Sequence, residues 1–194
     1  MTLLQEYQDY VNDVKLSEQG SSTVVLTKTL NDHHCNGVDI CRLLCGAIGQ
    51  SAESGELLVE ALLPTSPKLI DELGDVLFYT MVSARTLNLN ISENINKVKY
   101  EYLEKENILS VVQSLVVTTA EYLDIVKKIL FQGKPIDGKL YEILINKICY
   151  QYDLIQIIAY KLEVPVVYVI MVNKNKLDKR YKSKFTVEES ENKK

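Results

Sequence analysis

Apolar side chains recur every three to four residues along most of this chain, whereas sustained alternation of polar and apolar residues is absent. The first pattern is typical of amphipathic helices and the second of half-buried strands. One stretch, residues 164–172, is rich in β-branched residues and is compatible with a strand. No partner strand is evident elsewhere in the sequence, so we interpret this stretch as a helix and predict an all-α protein.

Prolines, glycines and short polar runs divide the helical pattern into segments. Ser66 followed by Pro67 is a good helix start, with Ser as the N-cap and Pro at the first helical position. Residues 15–37 mix Gly, Ser, Asn, Asp and His, which indicates a loop with room for one helical turn. The predicted helices cover residues 3–14, 38–63, 67–87, 92–106, 109–131, 140–162 and 166–181.

Two parts of the sequence resemble each other when they are laid side by side, which indicates an internal repeat. Residues 69–89 align without a gap to 144–164, and residues 52–63 align to 120–131. The alternative is that any two amphipathic helix pairs align about this well. We favour a duplication within one helical domain that is followed by a charged tail. The domain covers 1–185, its first half 1–106, its degenerate second half 107–185, and the tail 186–194.

The composition is that of an ordinary globular protein, with 46% hydrophobic and 25% charged residues in a chain of 194. A net charge of -4 gives no general attraction to nucleic acid, and residues 174–184 form the one strongly basic stretch. The N-terminus lacks a targeting pattern, and apolar runs such as 164–172 are too short to span a bilayer. We therefore expect a cytoplasmic protein with no membrane segment and no nucleic-acid partner.

The four cysteines match no zinc-finger spacing. Because His33 and His34 precede the first cysteine, residues 32–41 are the one stretch worth testing as a site for a soft metal. Against this, Cys41 and Cys45 lie four residues apart beside leucines, which is typical of small buried hydrophobes on a helix. We interpret the cysteines as structural. They are Cys35, Cys41, Cys45 and Cys149.

Two pairs of acidic residues stand out on consecutive predicted helices. Glu53 and Glu56 are three residues apart, and so are Glu72 and Asp75, so each pair projects from one helix face. Antiparallel helices with opposed faces would bring the four carboxylates into one cleft, where they need cations. Oxygen ligands without His or Cys favour Mg²⁺ or Mn²⁺, and Mg²⁺ favours a phosphate substrate. The alternative is a pair of solvated helix faces, as for most acidic residues.

The neighbours of these acids support burial. Apolar residues surround both pairs, and Gly55 and Gly74 would permit the two helices to approach closely. Asp71 belongs to neither pair, and we interpret it as a surface acid.

The segments "AESGELLVE" and "DELGDVLFY" together resemble the ExxE and ExxD motifs of the MazG-like, all-α nucleoside triphosphate pyrophosphohydrolases. The resemblance implies a helical bundle that works as a homodimer or homotetramer. It also implies Mg²⁺-dependent hydrolysis of a (deoxy)nucleoside triphosphate to the monophosphate and pyrophosphate. Mn²⁺ is an alternative metal. The metal ligands would be Glu53, Glu56, Glu72 and Asp75.

The family's Asn, Lys and Arg cluster does not follow the acids directly in this chain. Residues of these types appear instead near the end of the second half, as Asn173, Lys176 and Arg180. In that half Lys147 and Tyr150 replace the second acid pair. The resemblance therefore implies a composite site, with the metal acids from the first half and the phosphate-binding helix from the second.

The resemblance also implies roles for single residues. Glu53 would orient or deprotonate the attacking water, while Lys176 and Arg180 would stabilise the pyrophosphate leaving group. Three aromatic residues are candidates for stacking on the base, although aromatic residues on an apolar helix face are usually core. The basic segment is alternatively a solvated helix end or a nucleic-acid patch, and the whole bundle is alternatively a non-catalytic binding or regulatory module. The aromatic candidates are Tyr7, Tyr10 and Phe78.

Overall fold

The computed structural model describes residues 26–30, 38–63, 66–91 and 105–181, and within these ranges every regular element is a helix. This confirms the all-α prediction. The predicted helix 3–14 and residues 92–104 of the predicted helix 92–106 lie outside the described residues, as do the loop 31–37 with its histidines and Cys35. Residues 105 and 106 are described and form a bend instead of a helix end. The helices are α1 (Ile40–Ala61), α2 (Leu69–Thr86), α3 (Ile108–Gln132), α4 (Gly138–Lys161) and α5 (Val166–Arg180), with a short helical stretch at 26–30.

Side-chain caps fix the starts of three of these helices. Asp39 accepts a hydrogen bond from the Arg42 amide before α1, and Asn107 and Asp137 do the same before α3 and α4. The prediction for α2 is wrong in detail, because the helix begins at Leu69 after Lys68 instead of at Pro67. The Ser66 Oγ accepts a hydrogen bond of 3.2 Å from the Lys68 amide, which closes a turn before the helix starts.

The helices form two antiparallel hairpins. In the first, Gln50 and Gly46 on α1 meet Ser83 on α2, and in the second Lys147 on α4 bonds to Glu121 on α3. The two hairpins pack against each other through two helix pairs. Helix α1 packs on α3, and α2 packs on α4. The chain then bends by 98° and α5 crosses back over α2. This arrangement is compatible with a duplication, which stays a prediction.

A polar layer divides the core into two apolar clusters, one centred on Leu43 and one on Leu73. In this layer the Gln50 Nε2 donates to the Ser83 Oγ at 2.8 Å, and the hydroxyls of Ser54 and Thr119 share a hydrogen bond of 2.8 Å. Sliding one helix along another would separate these partners and leave buried polar groups unpaired. The layer therefore fixes the register of the bundle, and with it the height at which side chains on α1 meet those on α2.

Helix α3 is long and apolar enough to cross a membrane when only length and composition are counted, which the sequence interpretation did not note. Its residues Val111, Leu115 and Val126 are fully buried in the bundle core. Core helices of soluble proteins pass the same test, so a single helix of this kind is weak evidence for a membrane segment.

Two expectations about α1 are wrong. Cys41 and Cys45 are exposed instead of buried, because the core face of the helix runs through Leu43, which is about 200° around the axis from Cys41. Gly55 does not mediate a close approach, since a Cβ placed there would meet no atom within 4 Å. Cys149 is buried, as expected.

The close approach of α1 to α2 depends instead on Gly46. A Cβ there would lie 2.3 Å from the Ser83 Oγ and 3.2 Å from the Ser83 amide nitrogen. Gly46→Ala should therefore push the helices apart and lower the free energy of unfolding by about 1–3 kcal/mol, measured by chemical denaturation. Gly138→Ala is the control, because a Cβ at Gly138 meets open space. Equal stability of the two variants would contradict the packing described.

Candidate metal and phosphate site

Three carboxylates converge where α1 faces α2. One oxygen from each of Glu53, Glu56 and Glu72 lies within 4.8 Å of the other two. The spacing of three residues places Glu53 and Glu56 one turn apart on α1, and the antiparallel packing of α2 brings Glu72 opposite them. The predicted convergence of the two helix faces is therefore present for three of the four acids.

The three carboxylates disfavour one another's ionised forms. The pKa of Glu53 is raised to about 7, first by burial and then by the negative charges of Asp75, Glu56 and Glu72, against the opposing charge of Lys176. The pKa of Glu72 is raised as well, first by burial and then by the neighbouring carboxylates. The site thus has more negative charge than its own side chains neutralise.

Asp75, the fourth acid, is bound to helix α5. Its Oδ1 accepts a hydrogen bond from the Asn173 Nδ2 at 2.7 Å, and its Oδ2 pairs with the Lys176 Nζ at 2.5 Å. The same Nζ lies 2.9 Å from the Oδ1 of Asp71, which lies at the surface, as predicted, and also forms an ion pair with α5. Burial lowers the pKa of Lys176, but the hydrogen bonds to both aspartates outweigh it and raise the pKa overall.

Gly74 explains how α5 comes so close to the acids. A Cβ at Gly74 would lie 2.9 Å from the Cβ of Asn173, so the glycine expected to permit close approach does so, with α5 as the partner. Residues about a hundred positions apart therefore meet in one place. Asn173 and Lys176, predicted from the motif to join the acids of the first half, both contact Asp75.

Arg180 lies one helical turn beyond Lys176, on the same side of α5, and is exposed. The structure places it at the end of the helix, beyond the contacts with Asp71 and Asp75. Its predicted role at the phosphates is not tested by this geometry.

Phe78 is 39% exposed and packs edge-on against Tyr79, with 5.2 Å between the ring centroids. It borders an apolar pocket of about 310 Å³ between α2 and α5, and Asn173 lies in the wall of that pocket. Tyr7 and Tyr10 lie outside the described residues. The pocket thus shares Asn173 with the Asp75 contact and is lined by one of the three aromatic candidates.

Tyr79 is a site residue that the sequence interpretation missed. Its ring packs on Gly49, where a Cβ would lie 2.3 Å from the ring carbons. Burial raises the pKa of the Tyr79 phenol, and the charge of Glu53 raises it further, so the phenol stays protonated beside the acids. The signal in the sequence was the spacing of Gly46 and Gly49. They lie three residues apart, so both face α2 and leave room there for its side chains.

The aligned positions of the second half are neutralised by lysines. Lys147, which aligns with Glu72, pairs with Glu121, which aligns with Glu53. Asp124, which aligns with Glu56, pairs with two lysines at 2.5 Å each, and these hydrogen bonds lower its pKa to about 2. The second hairpin therefore has no excess of negative charge at this place, in contrast to the first. The two lysines are Lys127 and Lys128.

Comparison of the chain with protein-family models, curated proteins and solved structures returns no significant match. The resemblance to the pyrophosphohydrolases therefore depends on the acid motifs and on the placement of Asn173 and Lys176.

The side chains at the site suit a hard divalent cation. The converging donors are all carboxylate oxygens, which Mg²⁺ and Mn²⁺ prefer, and no His or Cys lies among them. Glu53 and Glu72 have pKa values raised above their ordinary range, so a bound cation would relieve an existing electrostatic cost.

This cost predicts a pH-dependent effect of Glu53→Gln. The pKa of Glu53 is 4.5 when unperturbed and about 7 in the fold, so the folded state loses stability as the pH rises through this window. Without divalent cations, the variant should melt at a higher temperature than the wild type at pH 8, and the difference should shrink towards pH 5.

The control for this experiment is Glu121→Gln at the aligned position of the second half. That change removes the partner of Lys147 and should not raise the melting temperature. Added Mg²⁺ should stabilise the wild type more than Glu53→Gln. A wild type that gains nothing from Mg²⁺ or Mn²⁺ would contradict a metal site here.

Proposed function

We propose that this protein hydrolyses (deoxy)nucleoside triphosphates to the monophosphate and pyrophosphate, with Mg²⁺ as the metal and Mn²⁺ as an alternative. The observation that carries the proposal is the meeting of two groups of residues from distant parts of the chain. Three carboxylates with uncompensated charge lie beside Asp75, which holds Asn173 and Lys176. Anionic ligands for a cation and donors for a phosphate are what such a reaction needs.

Glu53, Glu56 and Glu72 would hold the metal, with Asp75 at the edge of the set. When bound, Mg²⁺ neutralises phosphate charge and lowers the pKa of a coordinated water. Glu53 would orient the attacking water or accept its proton, because its carboxylate lies among the converging oxygens that would hold the metal. The α-phosphorus is the point of attack, and pyrophosphate is the leaving group.

Lys176 and Arg180 would serve the leaving group. Lys176 is a cation held in place by Asp71 and Asp75, so its ammonium is already oriented at the acids. Arg180 would extend the positive charge along the same face of α5 and offers a bidentate fork to phosphate oxygens. Asn173 fixes the other oxygen of Asp75 and closes the contact between α2 and α5.

The base of the nucleotide would use the apolar pocket beside Phe78. An apolar pocket of this kind next to a phosphate site suits a flat, partly apolar ring. Stacking by Tyr7 and Tyr10, assembly as a homodimer or homotetramer, and a cytoplasmic location stay predictions from the sequence.

A second candidate is a catalytically inactive module that binds nucleotides or regulates a partner. The observation that favours it is the ion pairing of Lys176. Its ammonium pairs with both Asp75 and Asp71, so these two carboxylates already have a cation from the protein itself. In the second hairpin Lys147 pairs with Glu121 in a comparable way. The two candidates differ in turnover, so an activity assay separates them.

The enzyme proposal predicts pyrophosphate release from at least one of the eight common nucleoside and deoxynucleoside triphosphates in the presence of Mg²⁺. Glu72→Gln keeps the shape of the side chain but removes an anionic ligand, so kcat should fall about 100-fold or more. Circular dichroism should still show the helical fold. Lys147→Gln, at the aligned position of the second half, should leave turnover unchanged. Absence of turnover with all eight substrates would overturn the enzyme proposal.

The composite site is tested by Arg180→Ala. Loss of a charge-assisted hydrogen bond to phosphate costs about 1.5–3 kcal/mol, so kcat/KM should fall about tenfold or more. Lys179→Ala removes an exposed charge from the neighbouring position and should have little effect. If Arg180→Ala keeps full kcat/KM, then the first half works without this residue.

A further inference from the structure

The outward face of α1 carries an apolar seam that has no partner among the described residues. Its positions follow one another at intervals of four and three residues, which is the spacing of the contact positions in a coiled coil. None carries a charge or a polar group other than a thiol, and Ile48 and Val59 are 51% and 60% exposed. The seam consists of Cys41, Cys45, Ile48, Ala52, Gly55 and Val59.

The other faces of α1 are already occupied. Leu43, Gln50 and Leu57 are fully buried in the core. Gly46 and Gly49 meet α2, and Ser54 meets Thr119 on α3. The seam lies opposite the core face, so the contacts within the described parts of the chain do not use it.

We propose that the seam binds the same seam of a second copy of this chain, with the two α1 helices antiparallel and crossing near Gln50. This register places Ile48 against Ala52, Cys45 against Gly55, and Cys41 against Val59 of the other copy. Each layer then joins a larger side chain to a smaller one. Small residues at Ala52 and Gly55 let the helices approach closely, and the pattern is complementary to itself about a twofold axis.

Charge complementarity selects the second copy and the antiparallel direction. Arg42 and Glu56 flank the seam on the same side, both are exposed, and neither has an ion pair within the described part of the chain. In the antiparallel register Arg42 of each copy lies beside Glu56 of the other. In a parallel pair the two Arg42 and Glu56 sets would lie on opposite sides of the seam, so these charges could not pair.

The contact also reaches the acid cluster, since Glu56 is its most exposed member. The second copy would bring the guanidinium of its Arg42 to the edge of that cluster. The proposal does not rest on the proposed enzymatic function, because it concerns association alone.

Sedimentation equilibrium at micromolar concentrations tests the seam. The wild type should be a dimer, and Ile48→Lys should be a monomer with unchanged circular dichroism, because Ile48 is exposed in the single chain. Val117→Lys alters an equally exposed residue on α3 and should remain dimeric. A monomeric wild type, a dimeric Ile48→Lys variant or a monomeric Val117→Lys variant would each overturn the proposal.

Charge reversal tests the flanking ion pairs with the same measurement. Arg42→Glu places two acids beside each other across the contact and should raise the dimer dissociation constant about tenfold. The double variant Arg42→Glu, Glu56→Arg restores opposite charges and should dimerise like the wild type. Failure of the double variant to recover would contradict the pairing.

The register is tested by a disulfide. Gly55→Cys has open space for its side chain and should form a covalent dimer with Cys45 of the other copy when diamide is added, seen on a non-reducing gel. Adding Cys45→Ser should abolish the band, because two copies of residue 55 are about 15 Å apart in this register. A band that persists without Cys45 would show a different register and overturn the proposal.

Discussion

Repulsion between carboxylates held at a fixed separation is the constraint on which the rest of the site depends. The spacing of Glu53 and Glu56 on α1 and the packing of α1 on α2 bring the carboxylates of Glu53, Glu56 and Glu72 within 4.8 Å of one another. Gly46 allows the close approach, and the polar layer at Gln50 fixes the height of one helix against the other. The fold therefore maintains an electrostatic cost that a bound cation would relieve.

Helix α5 offsets part of this cost. Lys176 pairs with Asp71 and Asp75, so the two aspartates of α2 have a cationic partner from α5. In the proposed site the glutamates are the ligands for a cation, whereas the aspartates hold the helix that supplies positive charge. The second hairpin shows that the scaffold does not require the acids, because Lys147 occupies the position aligned with Glu72 and pairs with Glu121.

The helices and the meeting of the acid pairs could be predicted from the sequence, because both follow from the helical repeat and short connections. The ion pair of Asp71 with Lys176 could not, since it depends on how α5 crosses α2 after a bend of 98°. The cysteines of α1 were misinterpreted because small apolar residues on a helix are usually buried. Their exposure follows from a seam that the single chain leaves without a partner.

The metal site is tested most directly by diffraction from crystals soaked in Mn²⁺, with an anomalous difference map. The account predicts a peak at about 2.2 Å from carboxylate oxygens of Glu53, Glu56 and Glu72, where the acids converge. No peak at saturating Mn²⁺, with Lys176 still bound to Asp75, would mean that the protein neutralises these acids by itself. That result would contradict the account.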